Sequence, residues 1–504
     1  MPPSPAMPPS PALPPSPAMP PSPAMSPADR RHVVVVGAGI SGLAAAHFLA
    51  TGPDRPRVTV LEQDDRIGGK LEVLDVDGLP VDQGAESLLA RRPEAVDLAR
   101  AVGLGADLVY PATTSASIWS RGALRAMPAG TVMGIPVDLH DLAASRLISL
   151  RGLVRIPLDH VRPWTRHVRE RDVPIGWYVR RRLGHEVVDR LVEPLLGGVY
   201  AGHPDELSLA ATVPTLAGPA RQRRSLLDAA VTASQAADAG AGTAPPVFAS
   251  VRGGLGRLPA AVADASGATV RTGRTVRELH RTPAGWRLVV GSTRDPEVVE
   301  ADAVVLGCPA AATRRLLGDV APGAAAALAG LEAASVAVVT MIFEDNDCTL
   351  RERLSGSGFL VPAVEGRLVK AATYLTAKWS WLGSVADGRV VVRASVGRHR
   401  ESAAIQRDPE RLALAVAADV AAMAGTPAQP RSWHVRKWGG ALPQYTVGHL
   451  QRVADVRGAV AAAPGLAVCG ATYDGVGVAA CIASARAAAD QVARHLTALT
   501  TMGR

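Results

Sequence analysis

Residues 32–62 constrain the fold more than any other stretch of the chain. His32–Val36 is a β-branched run, Gly37–Gly42 turn the chain, Leu43–Leu49 continue with the spacing of a helix, and Arg57–Leu61 give a second β-branched run. A short apolar run bounded by glycine is the pattern of a strand buried on both faces. Strand, glycine turn, helix and strand within about thirty residues make a βαβ unit, and with it a parallel sheet.

The turn itself, Gly37-Ala38-Gly39-Ile40-Ser41-Gly42, has the form G-x-G-x-x-G. Gly37 permits the tight turn, Gly39 lets backbone approach a diphosphate, and Gly42 lets the helix meet the strand. The unpaired N–H groups of the following helix suit that anion. Glu62 ends the second strand twenty residues beyond Gly42, where a carboxylate accepts from both ribose hydroxyls. An adenosine diphosphate moiety is the expected ligand; the bland alternative is an ordinary glycine turn.

Size and composition set the bounds. A chain of 504 residues exceeds what one core fills, so two or more interleaved domains are expected. Hydrophobic residues at 48% and charged residues at 20% exclude disordered and fibrous classes. A net charge of +8 admits nucleic acid, a membrane surface or a polycarboxylate without selecting one, and no nucleic-acid motif accompanies it. Cys308, Cys348, Cys469 and Cys481 are widely spaced and form no C-x-x-C pair, so neither zinc cage nor disulfide framework is indicated, and no metal is expected. That spacing, with no run long enough to span a bilayer and no signal-peptide order, points to the cytoplasm, with peripheral membrane contact left open.

The chain divides into seven stretches. Residues 1–28 repeat MPPSPA units and read as a disordered, polyproline-like tail whose restarts at Met7, Met19 and Met25 make Met25 a candidate translation start. Residues 29–106, 251–315 and 433–498 carry glycine-flanked strand runs and are assigned to one nucleotide-binding domain. Residues 107–220 read as a helical excursion, 221–250 as a loop, and 316–432 as a sheet-and-helix substrate domain with strands near 335–343, 368–375 and 389–396. The fold class is α/β, α+β overall.

Which dinucleotide is bound is decided further along. Arg66-Ile67-Gly68-Gly69-Lys70 resembles the R-x-G-G-R/K signature of the amine-oxidase-like flavoproteins, with Lys70 where arginine is common. Val81-Asp82-Gln83-Gly84-Ala85-Glu86-Ser87 resembles that superfamily's segment beside the isoalloxazine ring, and Gly470–Val478 precedes a helix whose start would touch the flavin. Partial positive charge there would stabilise negative charge at N1 and the C2 carbonyl on flavin reduction. The resemblance implies FAD, held by Gly37, Ala38, Gly39, Ile40, Ser41, Gly42, Glu62, Arg66, Gly69, Lys70, Gly84, Ala85, Glu86, Ser87, Val276, Trp438, Gly470, Val476, Gly477 and Val478.

Three more stretches narrow the resemblance. Arg180–Pro194 reads RRRLGHEVVDRLVEP and runs on through GVYAG to Leu207-Ser208; Arg252-Gly253-Gly254-Leu255 and Trp438–His449, WGGALPQYTVGH, complete the set. These resemble the porphyrinogen oxidase family of haem synthesis from about Arg30 to Leu496. The resemblance implies successive hydride transfers from meso carbons to flavin N5, reoxidation by dioxygen to hydrogen peroxide, and no strong protein base. It favours coproporphyrinogen III, the four-propionate substrate of the Gram-positive branch, over protoporphyrinogen IX, and implies hand-off to the ferrochelatase step. Arg92, with Arg91 as fallback, stands where the family places a propionate-binding arginine. Nine arginines between Arg151 and Arg182 leave a solvated face, an anionic membrane and a carboxylate-rich substrate all open. A flavin amine oxidase, a carotenoid desaturase, or a porphyrin carrier with structural flavin are the competing readings.

Overall fold

Five parallel strands form the sheet to which the opening βαβ unit belongs, in the order Thr269–Arg271, Arg57–Leu61, His32–Val36, Ala303–Leu306, Leu466–Val468. The computed structural model describes residues 30–163, 166–239, 246–346, 348–427 and 429–502, so the expected proline-rich tail lies outside the described residues. Both faces of this sheet are covered, which is why its inner strands, HVVVV at His32–Val36 and AVVL at Ala303–Leu306, are buried and almost wholly apolar. Val33 and Val35 pack with the helices Ile40–Thr51 and Val478–Met502. Val34 and Val36 turn to the opposite core, with Trp286 from an antiparallel three-stranded sheet and the helices Ala310–Leu317 and His449–Ala461. The period of two in side-chain direction thus assigns alternate valines to different cores.

A second sheet has seven strands, in the order Ser432–Pro443, Ala333–Glu344, Arg389–Val396, Val369–Tyr374, Gly358–Leu360, Ala116–Ser120, Ala123–Ala126. On one face Val339, Met341, Phe343, Val390, Val392 and Ala394 cover the helix Pro409–Ala424. Thr340 pairs in register with Arg393, and both project to the other face. Two expectations are corrected here. The excursion at 107–220 is not purely helical, since Ala116–Ser120 and Ala123–Ala126 close one edge of this sheet. The sequence groups residues from Trp433 with the nucleotide-binding stretches, yet Ser432–Pro443 pairs antiparallel with Ala333–Glu344. Its mixture of aromatic, basic and glycine residues conceals the alternation of an edge strand.

A third correction concerns residues 221–250, where a loop is expected and the helix Leu226–Ala239 is found. Leu226, Leu227, Ala229, Ala230 and Ala233 are buried, but alanine marks an apolar stripe weakly. The helix start is held from a distance: the Asp159 carboxylate accepts from Leu227 N–H at 3.0 Å and from Ser225 Oγ at 2.6 Å. The same carboxylate pairs with buried Arg182, whose Nη2 also donates to the carbonyls of Asp159 and Arg224. No helix among the described residues is long and apolar enough to cross a membrane.

Candidate functional site

The first strand, the glycine turn and the first helix are locked closely together. Gly37 has φ +99° and donates to the Leu61 carbonyl at 2.7 Å. A Cβ on Gly42 would fall 1.9 Å from the Gly37 carbonyl oxygen, so helix and turn can approach only with glycine there. A Cβ on Gly39 would meet nothing within 4 Å. That open space, beside a helix starting at Ile40 and Ser41 without a side-chain cap, fits a diphosphate. Glu62 is buried; its Oε2 accepts from Ala38 N–H at 2.6 Å and its Oε1 from Asp64 N–H at 3.0 Å. Arg274 N–H reaches the Glu62 carbonyl, placing Val276 two residues away, where its carbonyl accepts from Arg315 at 2.9 Å.

Arg66 works as a lock. Its Nη2 donates to the Gly69 carbonyl at 2.8 Å and its Nε pairs with Glu72 at 3.0 Å. Glu72 is shared with Arg436 at 2.9 Å, and the Trp438 indole has the Arg436 and Arg66 guanidiniums 4.5 and 5.7 Å from its ring centre. Gly68 N–H bonds the Ala38 carbonyl at 2.8 Å, and a Cβ on Gly69 would sit 3.3 Å from the Gly39 Cα. Gly84 is as constrained: its Cβ would lie 1.9 Å from the Lys70 carbonyl oxygen, which accepts from Ala85 N–H at 3.3 Å. The Lys70 side chain has an accessible surface although protein surrounds it, and the desolvation lowers its ammonium pKa.

The segment Val81–Ser87 is held by cations that sequence reasoning missed. Arg393 Nη1 donates to the Asp82 and Gly84 carbonyls at 2.9 and 3.0 Å, and its Nη2 lies 3.2 Å from Glu86 Oε2. Lys378 Nζ takes the other Glu86 oxygen at 2.7 Å. Burial alone would raise the Glu86 carboxyl; Arg393 and Lys378 outweigh it and hold it below its ordinary value. Asp82 goes the other way: burial pushes it up to about 6, although it accepts from Leu255 and Gly256 N–H groups at 2.9 and 2.8 Å. Ser87 is half-buried at the segment's end. No local motif marks Arg393 or Lys378, because their partners lie about three hundred residues away.

Around the last helix, Gly470 and Gly475 adopt φ +125° and +136°, and a Cβ on Gly477 would meet nothing within 4 Å. Val476 packs against the helical core and Val478 starts the helix Val478–Met502. The Tyr445 hydroxyl donates to the Ala471 carbonyl at 2.6 Å and accepts from Gly475 N–H at 2.9 Å. Its ring stacks on His449, centroids 3.8 Å apart; burial lowers that imidazole to about 4, so the stack is neutral.

The two sequence-chosen arginines lie outside this framework of bonds. Arg91 and Arg92 are exposed, and Arg92, at the N-cap of the helix Pro93–Ala101, donates from Nη2 to Glu94 Oε1 at 2.7 Å. Among the described residues, no group of three His, Cys, Asp or Glu could hold a metal.

Comparison with known proteins adds the chemical context. The model of the family described as flavin containing amine oxidoreductase matches residues 40–493. The coproporphyrinogen III oxidase of Propionibacterium freudenreichii subsp. freudenreichii is 34% identical, covering 92% of this chain and 91% of the relative. That of Mycobacterium bovis is 35% identical, covering 93% and 98%. Bovine protoporphyrinogen oxidase is 28% identical over 92% and 98%. A crystal structure from Exiguobacterium sp. 255-15, with a provisional protoporphyrinogen oxidase name, superposes with TM-score 0.80 at 32% identity, covering 93% and 99%.

Proposed function

Because the chain belongs to the flavin-containing amine oxidoreductase family, and is therefore an FAD-dependent oxidoreductase, we propose that it oxidises coproporphyrinogen III to coproporphyrin III with dioxygen as electron acceptor. The observation that supports this reading is near-full-length similarity, at 28–36% identity, to several bacterial proteins bearing that activity's name, with the bovine protoporphyrinogen oxidase, at 28%, at the low end of that range.

Bound FAD supplies the hydride acceptor. The chain's own task is to bind and orient. Glu62 would receive the ribose, the open turn at Gly39 and the start of the helix at Ile40, Ser41 and Gly42 would receive the diphosphate, and Arg66, Gly69 and Lys70 would close over it. Gly84–Ser87, Trp438 and Gly470–Val478 would enclose the ring. Arg393 and Lys378 keep Glu86 ionised and paired, so this carboxylate is not free to act as a base. Arg92, backed by Arg91, receives a propionate in exchange for Glu94. No protein base would be needed, since an electron-rich macrocycle can shed a pyrrole proton after losing hydride; the chain's part would be to hold a meso carbon against the ring and exclude water.

The product leaves for the ferrochelatase step, and the helical excursion rests peripherally on anionic lipid. Leu150 and Val154 are 81 and 74% exposed one turn apart on the helix Leu150–Arg155, Val161 is 69% exposed beyond the following 3-10 turn, and Arg146 and Arg151 are exposed nearby. Such a patch suits a headgroup boundary.

The test is porphyrin fluorescence in air with each porphyrinogen supplied separately. Rapid turnover of the four-propionate compound alone is expected. Faster turnover of protoporphyrinogen IX would make that the substrate, and inertness toward both would sink the reading.

A further inference from the structure

We propose that Tyr445 is a positioning residue: its hydroxyl fixes the 470–477 loop in the shape that aims the first turn of the helix Val478–Met502 at the flavin. The inference rests on the reading of that loop as a flavin contact, and concerns what holds it there.

The loop has little to hold itself. Two of its glycines take positive φ, Tyr473 N–H bonds the Gly470 carbonyl at 3.2 Å, and Gly470 N–H reaches Ser484 Oγ at 3.3 Å. Between these and the helix start at Val478, the Tyr445 hydroxyl bridges the loop, donating to Ala471 and accepting from Gly475. It therefore ties two loop residues four positions apart to one atom. That atom is itself held by the packing of its ring. The Tyr445 ring is 1% exposed, stacked on His449 and tilted against Tyr200 at 5.5 Å. Its backbone carbonyl accepts from Ser208 N–H at 2.8 Å, and the chain before it ends the edge strand Ser432–Pro443. The hydroxyl is thus placed by the helical excursion and the seven-stranded sheet, and passes that placement to the loop. His449 Nε2, 3.4 Å from the Tyr473 carbonyl, and Arg457, paired with Asp474, add further holds from the helix His449–Ala461.

The electrostatic consequence follows from direction. Exposed N–H groups of a helix start favour negative charge, and the effect fades beyond the first turn, so a small change of aim alters it. With the bridge intact the pyrimidine end of a bound ring would meet these donors. Without it, reduction would be less favourable while the ring stayed bound through the Gly37–Gly42 turn and Glu62.

The experiment is Tyr445→Phe in the holoenzyme. The variant is expected to retain FAD, to take a midpoint potential more negative by about 30 mV, the equivalent of tenfold in a two-electron equilibrium, and to be reduced by porphyrinogen under anaerobic conditions about tenfold more slowly. Tyr200→Phe, in the same ring contact but without the bridge, is expected to keep the wild-type potential. A folded, FAD-loaded Tyr445→Phe with wild-type potential and reduction rate would overturn the inference. Gly477→Ala separates the two levels. If its added methyl shifts the potential while Tyr445→Phe does not, only the role of Tyr445 fails; if it too changes nothing, the loop is not a flavin contact and both fail. Should Tyr445→Phe not fold, hydrogen exchange on the wild-type holoenzyme decides: the Gly475 amide is expected to be protected, and exchange at the rate of an open loop excludes the bridge.

Discussion

The indole N–H of Trp438 donates to the carbonyl of Gln83 across 2.9 Å, joining the edge strand of the seven-stranded sheet to the segment Val81–Ser87. With Arg66 and Arg436 beside the same ring, one side chain couples the Arg66–Lys70 turn, the Val81–Ser87 segment and the substrate sheet. Trp438→Phe keeps much of the ring and loses the donor, so a stability loss of about 1 kcal/mol is expected. Trp438→Ala also loses the cation–π contacts and is expected to weaken FAD retention on gel filtration. Full retention in the alanine variant would show that the coupling does not reach the cofactor.

Glu62 accepts two backbone N–H bonds, one from Ala38 in the glycine turn and one from Asp64, just beyond Glu62 itself. Glu62→Gln replaces a charged acceptor by a neutral one and brings two donors toward N–H groups. An FAD dissociation constant raised about tenfold to a hundredfold is expected, in line with about 1.5–3 kcal/mol for a bond to a charged group. Ultrafiltration of the reconstituted variant measures it, and wild-type affinity would remove Glu62 from the ribose site.

These two residues also mark how far the sequence could be read. Glu62 is legible because its partners are twenty-four residues away or nearer, within one βαβ unit whose glycine spacing has a steric cause at each position. FAD, the mixed α/β class and the flavoprotein family follow from that unit and the motifs after it. Arg393 and Lys378 are not legible, because a lone cation in a strand or after one resembles a solvated charge until the tertiary fold sets it on Glu86. The helix Leu226–Ala239 escapes for a related reason: its start is secured by Asp159, and its alanines give too little contrast between faces.

Asp82 gives a pH dependence. Its folded-state carboxyl is raised from 3.8 to about 6 by burial, so the folded chain holds the proton more tightly than the unfolded one. Stability must then fall as pH rises between those values and stay lower above them, by on the order of 3 kcal/mol. Glu86, held low by Arg393 and Lys378, has the opposite sign and loses its contribution as pH falls. Asp82→Asn isolates the first effect: relative to wild type, the variant is expected to gain urea resistance from pH 4 to pH 7. Parallel pH profiles for the two proteins would contradict it.

Arg182 and Asp159 form an ion pair with both side chains almost wholly buried, and the carboxylate also holds Ser225 and Leu227. Removing one partner strands the other charge in the core, so Arg182→Met is expected to cost about 3–5 kcal/mol. The double variant Arg182→Met with Asp159→Asn should recover part of that loss, because no charge is left unpaired. The melting temperatures of wild type and both variants report this; equal losses in single and double variants would assign the cost to the Leu226–Ala239 helix start instead.

Arg92 is the proposed propionate contact, and its pairing with Glu94 at 2.7 Å gives a prediction with two signs. The side chain is 44% exposed, so the intramolecular pair is screened and weak, and a propionate that brings its own buried surface can displace it. Arg92→Ala is expected to raise KM for coproporphyrinogen III about tenfold with little change in kcat, as loss of uniform binding does. Glu94→Gln removes the competitor without touching the arginine and is expected to lower KM. Protoporphyrinogen IX, with half as many propionates to offer, should respond less to either change. If Arg92→Ala and Glu94→Gln shift KM in the same direction, exchange of partners is not how Arg92 acts, and Arg91 becomes the residue to test.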